Sequence, residues 1–569
     1  MATSKRWVIA STITPEADAN LAVFPPILRQ LLYNRGYGTE PQARLFMEAQ
    51  TGFDRDPLRL TGMGASVERV CSALERHEPV AIYGDYDVDG VTATALLVQT
   101  LRALGGEVEG YIPNRFEEGY GLNNDALDAL KAKGVKLVIT VDCGIRSPKE
   151  AQHARDIGLD LIITDHHHPA LGDLPPAFAV INPKQPGDAY PEKNLAGVGI
   201  AYKMAEALLA STTIPCPLEL SALLDLVALG TVADLAPLTG ENRMLVRAGL
   251  DQIHQTKRQG LYSLANVAEM VIGKTTAGQI GFILGPRLNA AGRLESALAA
   301  FDLLTTTDFM QAGQLAQQLD VQNRQRQALT RQTQEKAELL ATAEEREPFL
   351  LFAVDKEFNA GVVGLAASRL TEKYYRPAIV ATQNETETRG SCRSIPEFHI
   401  TDALDECADL LVRHGGHAAA AGFTVRNENL PEFIQRMKTK AEKQLCNEDL
   451  RPSLTVDLVV PLSGLNSGLL GSLSQFEPTG YGNSEAVFVS RDVKVKNART
   501  VGADGKHLKL TFEDERRVAL DGIAFRMGDL YPGLPPRVDI LYTFESNDYN
   551  GRSSLQLNLK DLRPTGTED

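Results

Sequence analysis

No apolar run in this sequence is long enough to cross a bilayer as a helix. The N-terminus, Met1-Ala2-Thr3-Ser4-Lys5-Arg6-Trp7, lacks the apolar core of a secretory signal. Cysteine is sparse: six in 569 residues, scattered at neither disulfide nor zinc spacing, which fits a reducing cytoplasm. Basic charge is in deficit, with 58 Lys and Arg against 73 Asp and Glu and a net charge of −15. That balance argues against nonspecific coating of nucleic acid, but allows a single channel lined with basic side chains. Internal repeats and low-complexity tracts are also missing. The length and an ordinary apolar fraction of 43% predict three or four globular domains.

Metal-ligand chemistry is what the sequence does supply. Five short apolar runs in the first third read as β-strands, and three of them end in ligand residues. Val80–Gly84 leads into Asp85-Tyr86-Asp87-Val88-Asp89-Gly90, Leu137–Val141 into Asp142-Cys143-Gly144, and Leu161–Thr164 into Asp165-His166-His167. Helix-length segments separate the runs, so they are expected to form one parallel sheet of βαβ units. The carboxyl ends of such strands share an edge, where ligands bind. Five Asp and two His thus reach one crevice, and a further carboxylate, Asp234, closes the apolar stretch from Leu223. A carboxylate-rich set with a few imidazoles suits Mn²⁺ or Mg²⁺, and its size suits two ions. Asp after a strand is often only a helix N-cap or turn former. Three successive strands with this ending, one of them D-x-D-x-D, favour the metal site. Cys143 reads as a small packing residue, because no base motif accompanies it.

The predicted organisation is a helical cap over 1–60, an α/β domain over 61–302, a linking helix over 303–345, a second α/β domain over 346–448 and a small β-barrel over 449–569. The linking helix rests on a stretch rich in Gln, Ala, Leu, Arg and Glu with no Gly after Gly313 and no Pro before Pro348. Its Asn323-Arg324-Gln325-Arg326 run fits a solvated face and a cleft-lining face equally. Gly361–Leu370 reads as a glycine-led helix start, placing Arg369 on that helix. The barrel rests on short alternating strands between Gly and Pro turns.

Several segments carry phosphate-binding chemistry. His414-Gly415-Gly416-His417 precedes an alanine run, predicting backbone N–H groups at a helix start with His417 beside them. Gly390-Ser391-Cys392-Arg393-Ser394 offers an Arg between hydroxyls. Gly285–Arg293, expected as a Gly-Pro loop, supplies Arg287 and Asn289. Together these predict a phosphate-lined cleft opposite the metals. Arg115 is a phosphate candidate, and Tyr120 a stacking residue, in the loop after the second strand. Lys494, Lys496, Lys506 and Lys509 belong to a locally basic stretch that predicts a single-strand platform on the barrel; a solvated strand face is the competing reading.

These residues resemble a known family. Asp85-x-Asp87-x-Asp89-Gly90, Asp142-Cys143-Gly144, Asp165-His166-His167 and the Asp234 segment are similar to the four motifs of the DHH phosphoesterases. His414–His417 resembles the GGH motif of the associated DHHA1 domain. Phe476-Glu477-Pro478-x-Gly480-x-Gly482-Asn483, which enters an OB-like barrel, extends the likeness to the RecJ family over nearly the whole chain. The resemblance implies a 5′→3′ exonuclease on single-stranded DNA that uses two divalent ions, Mn²⁺ or Mg²⁺, and releases nucleoside 5′-monophosphates in DNA repair and recombination. It implies metal ligation by Asp87, Asp89, Asp142, His166 and Asp234 with help from Asp85 and His167, and an orienting role for Asp165. Arg287, Arg369, Arg393 and His417 would hold phosphates, with Arg115 and Ser391 at a terminal 5′-phosphate. Single-strand-binding protein and a helicase are expected partners of a cytoplasmic monomer that makes no membrane contact. Two departures stand out: Tyr83 occupies a position where many smaller relatives have a ligand His, and Phe358-Asn359 replaces a common Trp-His pair. Two alternatives are a phosphodiesterase of short oligonucleotides or cyclic dinucleotides, against which the long helix and barrel argue, and a non-catalytic replication scaffold, against which the complete set of motif carboxylates argues.

Overall fold

In strand β2 (Val80–Tyr83) every side chain is apolar or aromatic and every one is buried. Strand β4 (Leu137–Val141) is likewise buried throughout, and β5 (Asp160–Thr164) is buried from its second residue. Strands covered on both faces belong inside a parallel sheet flanked by helices. In the computed structural model, which describes residues 5–114, 118, 121–170, 172–294, 296–343, 347–549 and 552–567, they do form that sheet. With β3 (Val108–Tyr111) and β6 (Ala179–Ile181) they make a five-stranded sheet of order β3-β2-β4-β5-β6, parallel throughout. The predicted α/β reading therefore stands.

The chain forms two compact units, Met1–Val8 with Val321–Leu454, and Ile9–Asp320 with Thr455–Asp569. The division falls inside a 33-residue helix, Phe309–Ala341. This helix is shorter than the stretch expected: Leu298–Thr305 is a separate helix, and Asp308 caps the next one by accepting from Gln311 N–H at 2.7 Å.

The larger unit also holds the barrel. Strands β14 (Val487–Val501), β15 (His507–Glu513), β16 (Ala519–Ala524), β17 (Arg537–Tyr549) and β18 (Arg552–Pro564) close on themselves through the β14–β17 pairing. The first 60 residues are not purely helical, since β1 (Arg6–Ile9) precedes helices Pro15–Asn20, Pro26–Asn34 and Glu40–Met47. Leu28, Leu31, Leu32, Phe46 and Met47 share one core with Phe476, Phe488, Phe512 and Tyr542 of the barrel region.

In the smaller unit β7 (Leu351–Asp355), β8 (Ala378–Gln383), β9 (Glu387–Arg393), β10 (Leu411–His417) and β11 (Ala420–Arg426) form a mixed sheet of order β10-β11-β9-β8-β7, with β7 and β8 parallel and β9 antiparallel to β8. Two expectations fail, one in each unit. His414–His417 does not open a helix: it ends β10 (Leu411–His417), which pairs antiparallel with β11 (Ala420–Arg426). Strand pairing has overridden the helix propensity of the alanine run. Gly416 has φ +153°, and a Cβ there would lie 2.4 Å from Ala420 O, so glycine is required by the hairpin. In the larger unit, Gly285–Leu294 is a helix rather than a loop, because Pro286 sits in its first turn, where a missing N–H costs little.

Candidate metal centre

The loops after β2, β4 and β5 bring the motif carboxylates together. Asp87 caps helix Val88–Ala103, accepting from Gly90 N–H at 3.0 Å. Asp89, in the first turn of that helix, is buried and held from the opposite side: Gly197 and Val198 N–H, at the start of helix Gly197–Ser211, donate to its two oxygens at 2.7 and 2.8 Å. Asp142 follows β4 in a left-handed conformation, φ +62°, a strained backbone for a side chain that must point into the site. Gly197 passes so close to it that a Cβ would lie 2.7 Å from Asp142 Cβ. Asp234 is the C-cap of the largely apolar helix Leu224–Ala233.

Three ligand groups result, each with donor atoms within 4.8 Å of one another: Asp85, Asp87 and Asp142; Asp89, His166 and Asp234; and Asp142, His166 and His167. Asp142 belongs to two of them, and so does His166. Two neighbouring ions would find ligands in such groups, with Asp142 and His166 able to serve either. His166 Nε2 lies 3.0 Å from Asp142 Oδ1, 3.7 Å from Asp234 Oδ2 and 3.8 Å from Asp89 Oδ2. Nevertheless, both His166 Nε2 and Asp142 Oδ1 are buried without a hydrogen bond. Two buried acceptor atoms facing each other at 3.0 Å repel unless a cation or a proton lies between them, and a divalent cation fits this set of donors.

The electrostatics agree. Burial and then the neighbouring Asp87 push the Asp89 carboxyl up to about 7, against the pull of the Val198 and Gly197 amides. Burial and the Asp89 and Asp87 charges push Asp234 up to about 8, and Asp142 rises well above the carboxylate range for the same reasons. Burial, aided by the His167 charge, lowers His166 to about 3, so its ring is neutral and offers a lone pair. Crowded carboxylates beside a neutral imidazole fit divalent cations with hard oxygen ligands. Asp165 lies behind this shell. Burial alone would raise it, but it accepts from His167 Nδ1 at 2.8 Å and from Ile145 N–H at 2.9 Å and ends below its usual value. Tyr83, in place of the ligand His of smaller relatives, is buried and donates to Gly121 O at 2.9 Å.

The other candidates divide. Arg287 is tied to Asp320 at 3.0 Å and to Ile283 O, and Asn289 shares its helix. Arg115 and Tyr120 lie outside the described residues. In the smaller unit, Ser391 and Arg393 sit on β9 against the start of helix Val363–Tyr374: the position a Cβ would take at Gly364 is 3.2 Å from Arg393 Nη2 and 3.4 Å from Ser391 Oγ. Arg393 is half-buried, donates to Cys392 O, and has no carboxylate partner among the described residues. A cation and a hydroxyl beside a helix N-terminus are a donor set of the kind that suits an anion. Gly415, Gly416 and His417 lie on the exposed hairpin, where His417 O accepts from Thr401. Asn359 accepts from Gly361 N–H at 2.8 Å, and Phe358 is buried. Of the barrel lysines, Lys496 is paired with Glu513 and Lys506 with Asp504, while Lys494 and Lys509 lie on β14 and β15.

Sequence reasoning missed two features, the Gly197 and Val198 amides and Lys184, and the structure adds detail to two that it raised. The Gly197 and Val198 amides carry no side-chain signal beyond a Gly-x-Gly helix start. Lys184 donates to His166 O at 2.6 Å and adds positive charge near Asp234. Arg326, which in sequence fits two readings, is half-buried with Nε unbonded, and its pKa is lowered by burial and by the Arg369 charge. The barrel carries aromatics beside its lysines: His507 and Phe525 pack edge to face at 5.3 Å, and Phe525 and Tyr531 are exposed.

Comparison with known proteins matches the same regions. Family models match as "DHH family, N-terminal domain" over residues 79–231, "DHHA1 domain" over 347–443 and "RecJ OB domain" over 456–561. The chain is 37% identical over 570 residues to the single-stranded-DNA-specific exonuclease RecJ of Bacillus subtilis, covering 99% of this chain and 71% of that one. It is 36% identical over 572 residues to the enzyme of the same name from Escherichia coli, covering 95% and 96%. A crystal structure of RecJ in complex with Mn²⁺ from Thermus thermophilus superposes with a TM-score of 0.84 at 31% identity, over 99% of this chain and 80% of that one. The chain belongs to the RecJ family.

Proposed function

We propose that this protein is a metal-dependent exonuclease specific for single-stranded DNA, acting 5′→3′ and releasing nucleoside 5′-monophosphates. The observation that carries the reading is the pair of ligand groups sharing Asp142, with its orphaned oxygen facing the orphaned His166 nitrogen. Relatives named as single-stranded-DNA-specific exonucleases, and RecJ structures solved with Mn²⁺ and with Mg²⁺, support it.

Asp85, Asp87 and Asp142 would hold one ion, and Asp89, His166 and Asp234, again with Asp142, the other. When bound, the ions polarise the phosphate, acidify water and offset charge on the leaving 3′-oxygen. The protein's own work is positional. The Gly197 and Val198 amides fix both oxygens of Asp89, so its lone pairs keep one direction. Asp165 holds His167 Nδ1 and leaves Nε2 as the working atom of that ring. Ser391, Arg393 and the helix start at Gly364 form the pocket for the terminal 5′-phosphate and thereby set polarity, which in-line attack alone leaves open. Arg369 and His417 hold further phosphates, and the barrel face with Lys494, Lys509 and Phe525 binds the strand downstream. A role in DNA repair and recombination, a cytoplasmic location, action as a monomer, and association with single-strand-binding protein and a helicase belong to the same proposal.

The deciding experiment uses one oligonucleotide labelled at either end, with and without Mn²⁺. Early release of labelled mononucleotide from the 5′-labelled strand alone, abolished by chelator, is expected. Early release from the 3′-labelled strand, or full activity in chelator, overturns the reading.

A further inference from the structure

Three large apolar side chains stand in solvent on segments that converge beside Asp234. Leu235, the next residue, is 67% exposed and has φ +59°. A left-handed helix terminus normally takes glycine, and a leucine there is strained. Phe282 is 87% exposed on a π-helical turn, Ile280–Leu284. Such turns recur at functional sites because the extra residue re-aims a side chain. This turn packs on the last turn of the helix that carries Asp234: a Cβ at Gly281 would lie 3.8 Å from Val232 Cγ1, and one at Gly285 3.5 Å from Ala233 Cβ. Tyr481 is 64% exposed, and its carbonyl accepts from Leu238 N–H at 2.7 Å. A Cβ at the adjacent Gly482 would lie 3.0 Å from Pro237 Cβ, so the barrel-entry loop is seated on the same stretch.

A single exposed apolar residue means nothing. Here three come from three chain segments, two with unusual backbones, and all are anchored within residues 232–238. The helix that continues from the π-turn also crosses the loop of the first two ligands, since a Cβ at Gly292 would lie 2.7 Å from Tyr86 O. Leu235 directly follows the candidate ligand Asp234, so the segments that carry the three side chains meet at the edge of the metal centre. A strand whose phosphates face the ions must turn its bases elsewhere, and an apolar wall next to the ions is where they gain by stacking.

We propose that Leu235, Phe282 and Tyr481 form a nucleobase-binding wall beside the metal centre, a specificity element that makes turnover depend on the bases as well as the phosphates. This rests on the exonuclease reading above. The occupant is the base of a nucleotide at or next to the scissile bond, held without hydrogen-bond readout, so every base is accepted.

The test compares a 5′-phosphorylated oligothymidine with the same strand carrying tetrahydrofuran abasic units at its first three positions. Phe282→Ala and Tyr481→Ala are assayed beside Phe282→Trp and Tyr481→Phe, with thermal melts to check folding. Each alanine variant should raise KM on the base-bearing strand roughly fivefold or more and lower the base-bearing to abasic ratio of kcat/KM by a similar factor, the aromatic replacements restoring it. An unchanged ratio in both alanine variants overturns the wall. So does an equal loss on both strands, the pattern of a purely structural role or of a protein partner at this patch. If the unaltered protein cleaves neither strand in Mn²⁺, the exonuclease reading fails, and fluorescence anisotropy of the two strands on the same variants then decides the base contact separately.

Discussion

Asp165 accepts a hydrogen bond from His167 Nδ1 at 2.8 Å while its other oxygen takes the Ile145 N–H at 2.9 Å. One carboxylate therefore joins the loop after β5 to the loop that carries Asp142. Burial would lower the His167 pKa, but the Asp165 bond and the surrounding carboxylates outweigh it, and the ring titrates above its ordinary value.

Asp165→Asn keeps the shape and removes the charge. The His167 pKa should fall in an NMR titration, and activity or Mn²⁺ affinity should drop roughly 10- to 100-fold. An unchanged His167 titration would show that Asp165 does not control that ring.

Proton and cation compete at the centre. In the metal-free protein the Asp89 and Asp234 carboxyls are raised to about 7 and about 8, so from the ordinary carboxylate range up to those values the folded state holds more protons than the unfolded one. The stability that these two carboxyls contribute to the metal-free protein is thus fully present below the ordinary carboxylate range and is lost as pH rises through those values. Metal binding displaces the protons, so apparent Mn²⁺ affinity should rise from about pH 6 to about pH 8, read as a growing Mn²⁺-dependent increase in Tm. Asp142→Asn removes one crowded charge. It should raise metal-free Tm near pH 8, abolish the Mn²⁺ increment and cut turnover by orders of magnitude. A wild-type Mn²⁺ increment in this variant would rule out Asp142 as the shared ligand.

Fold class is legible in the sequence because period and composition mark it: short, largely apolar runs, long segments between them, and ligand residues at each run's end. The ligand set is legible because carboxylates and imidazoles announce their chemistry. What stays hidden works through backbone. The amides on Asp89 belong to Gly197 and Val198, whose side chains say nothing of hydrogen bonding. The Gly416 hairpin reads as a helix start because local propensity favours it and the partner strand lies further along the chain. Phe282 is one phenylalanine among 19 until the π-turn exposes it.

Arg243 illustrates the same point in the architecture. It is fully buried, and its five N–H groups reach five carbonyls: Phe46, Gln475, Phe476, Glu477 and Pro478. Its guanidinium also lies 4.1 Å from the Phe46 ring centre. Burial, with Arg247 nearby, lowers its pKa to about 10, so it remains charged. One side chain thus ties helix Gly240–His254 to the N-terminal helices and to the barrel-entry loop. Arg243→Met strands those carbonyls and should cost roughly 3–5 kcal/mol. Arg243→Lys should recover only part, because an ammonium has three donors and no fork. Tm and proteolysis within 475–486 measure both effects, and a loss below about 1 kcal/mol in the Met variant would refute the lock.

The Ser391 and Arg393 cluster of the smaller unit gives the last prediction. Arg393 is half-buried and lacks an acidic partner among the described residues, although burial works against its charge and lowers its pKa. A structural arginine is satisfied by carboxylates or, as at Arg243, by a full set of carbonyls, whereas the hydrogen bond of Arg393 goes to the Cys392 carbonyl. It sits with the Ser391 hydroxyl at a helix start, a donor set that fits a phosphate carrying more than one charge. A terminal 5′-phosphate has that extra charge, and an internal diester does not. The unaltered protein should therefore cut a 5′-phosphorylated strand faster than a 5′-hydroxyl strand. Arg393→Ala should shrink the preference roughly tenfold or more, and Arg393→Lys should restore part of it, since charge survives while the bidentate geometry is lost. Ser391→Ala should have a smaller effect in the same direction, because it removes a neutral donor. Activity on the 5′-hydroxyl strand should fall far less than on the phosphorylated one. If both strands lose activity equally, Arg393 holds the fold or an internal phosphate, and polarity must be set elsewhere.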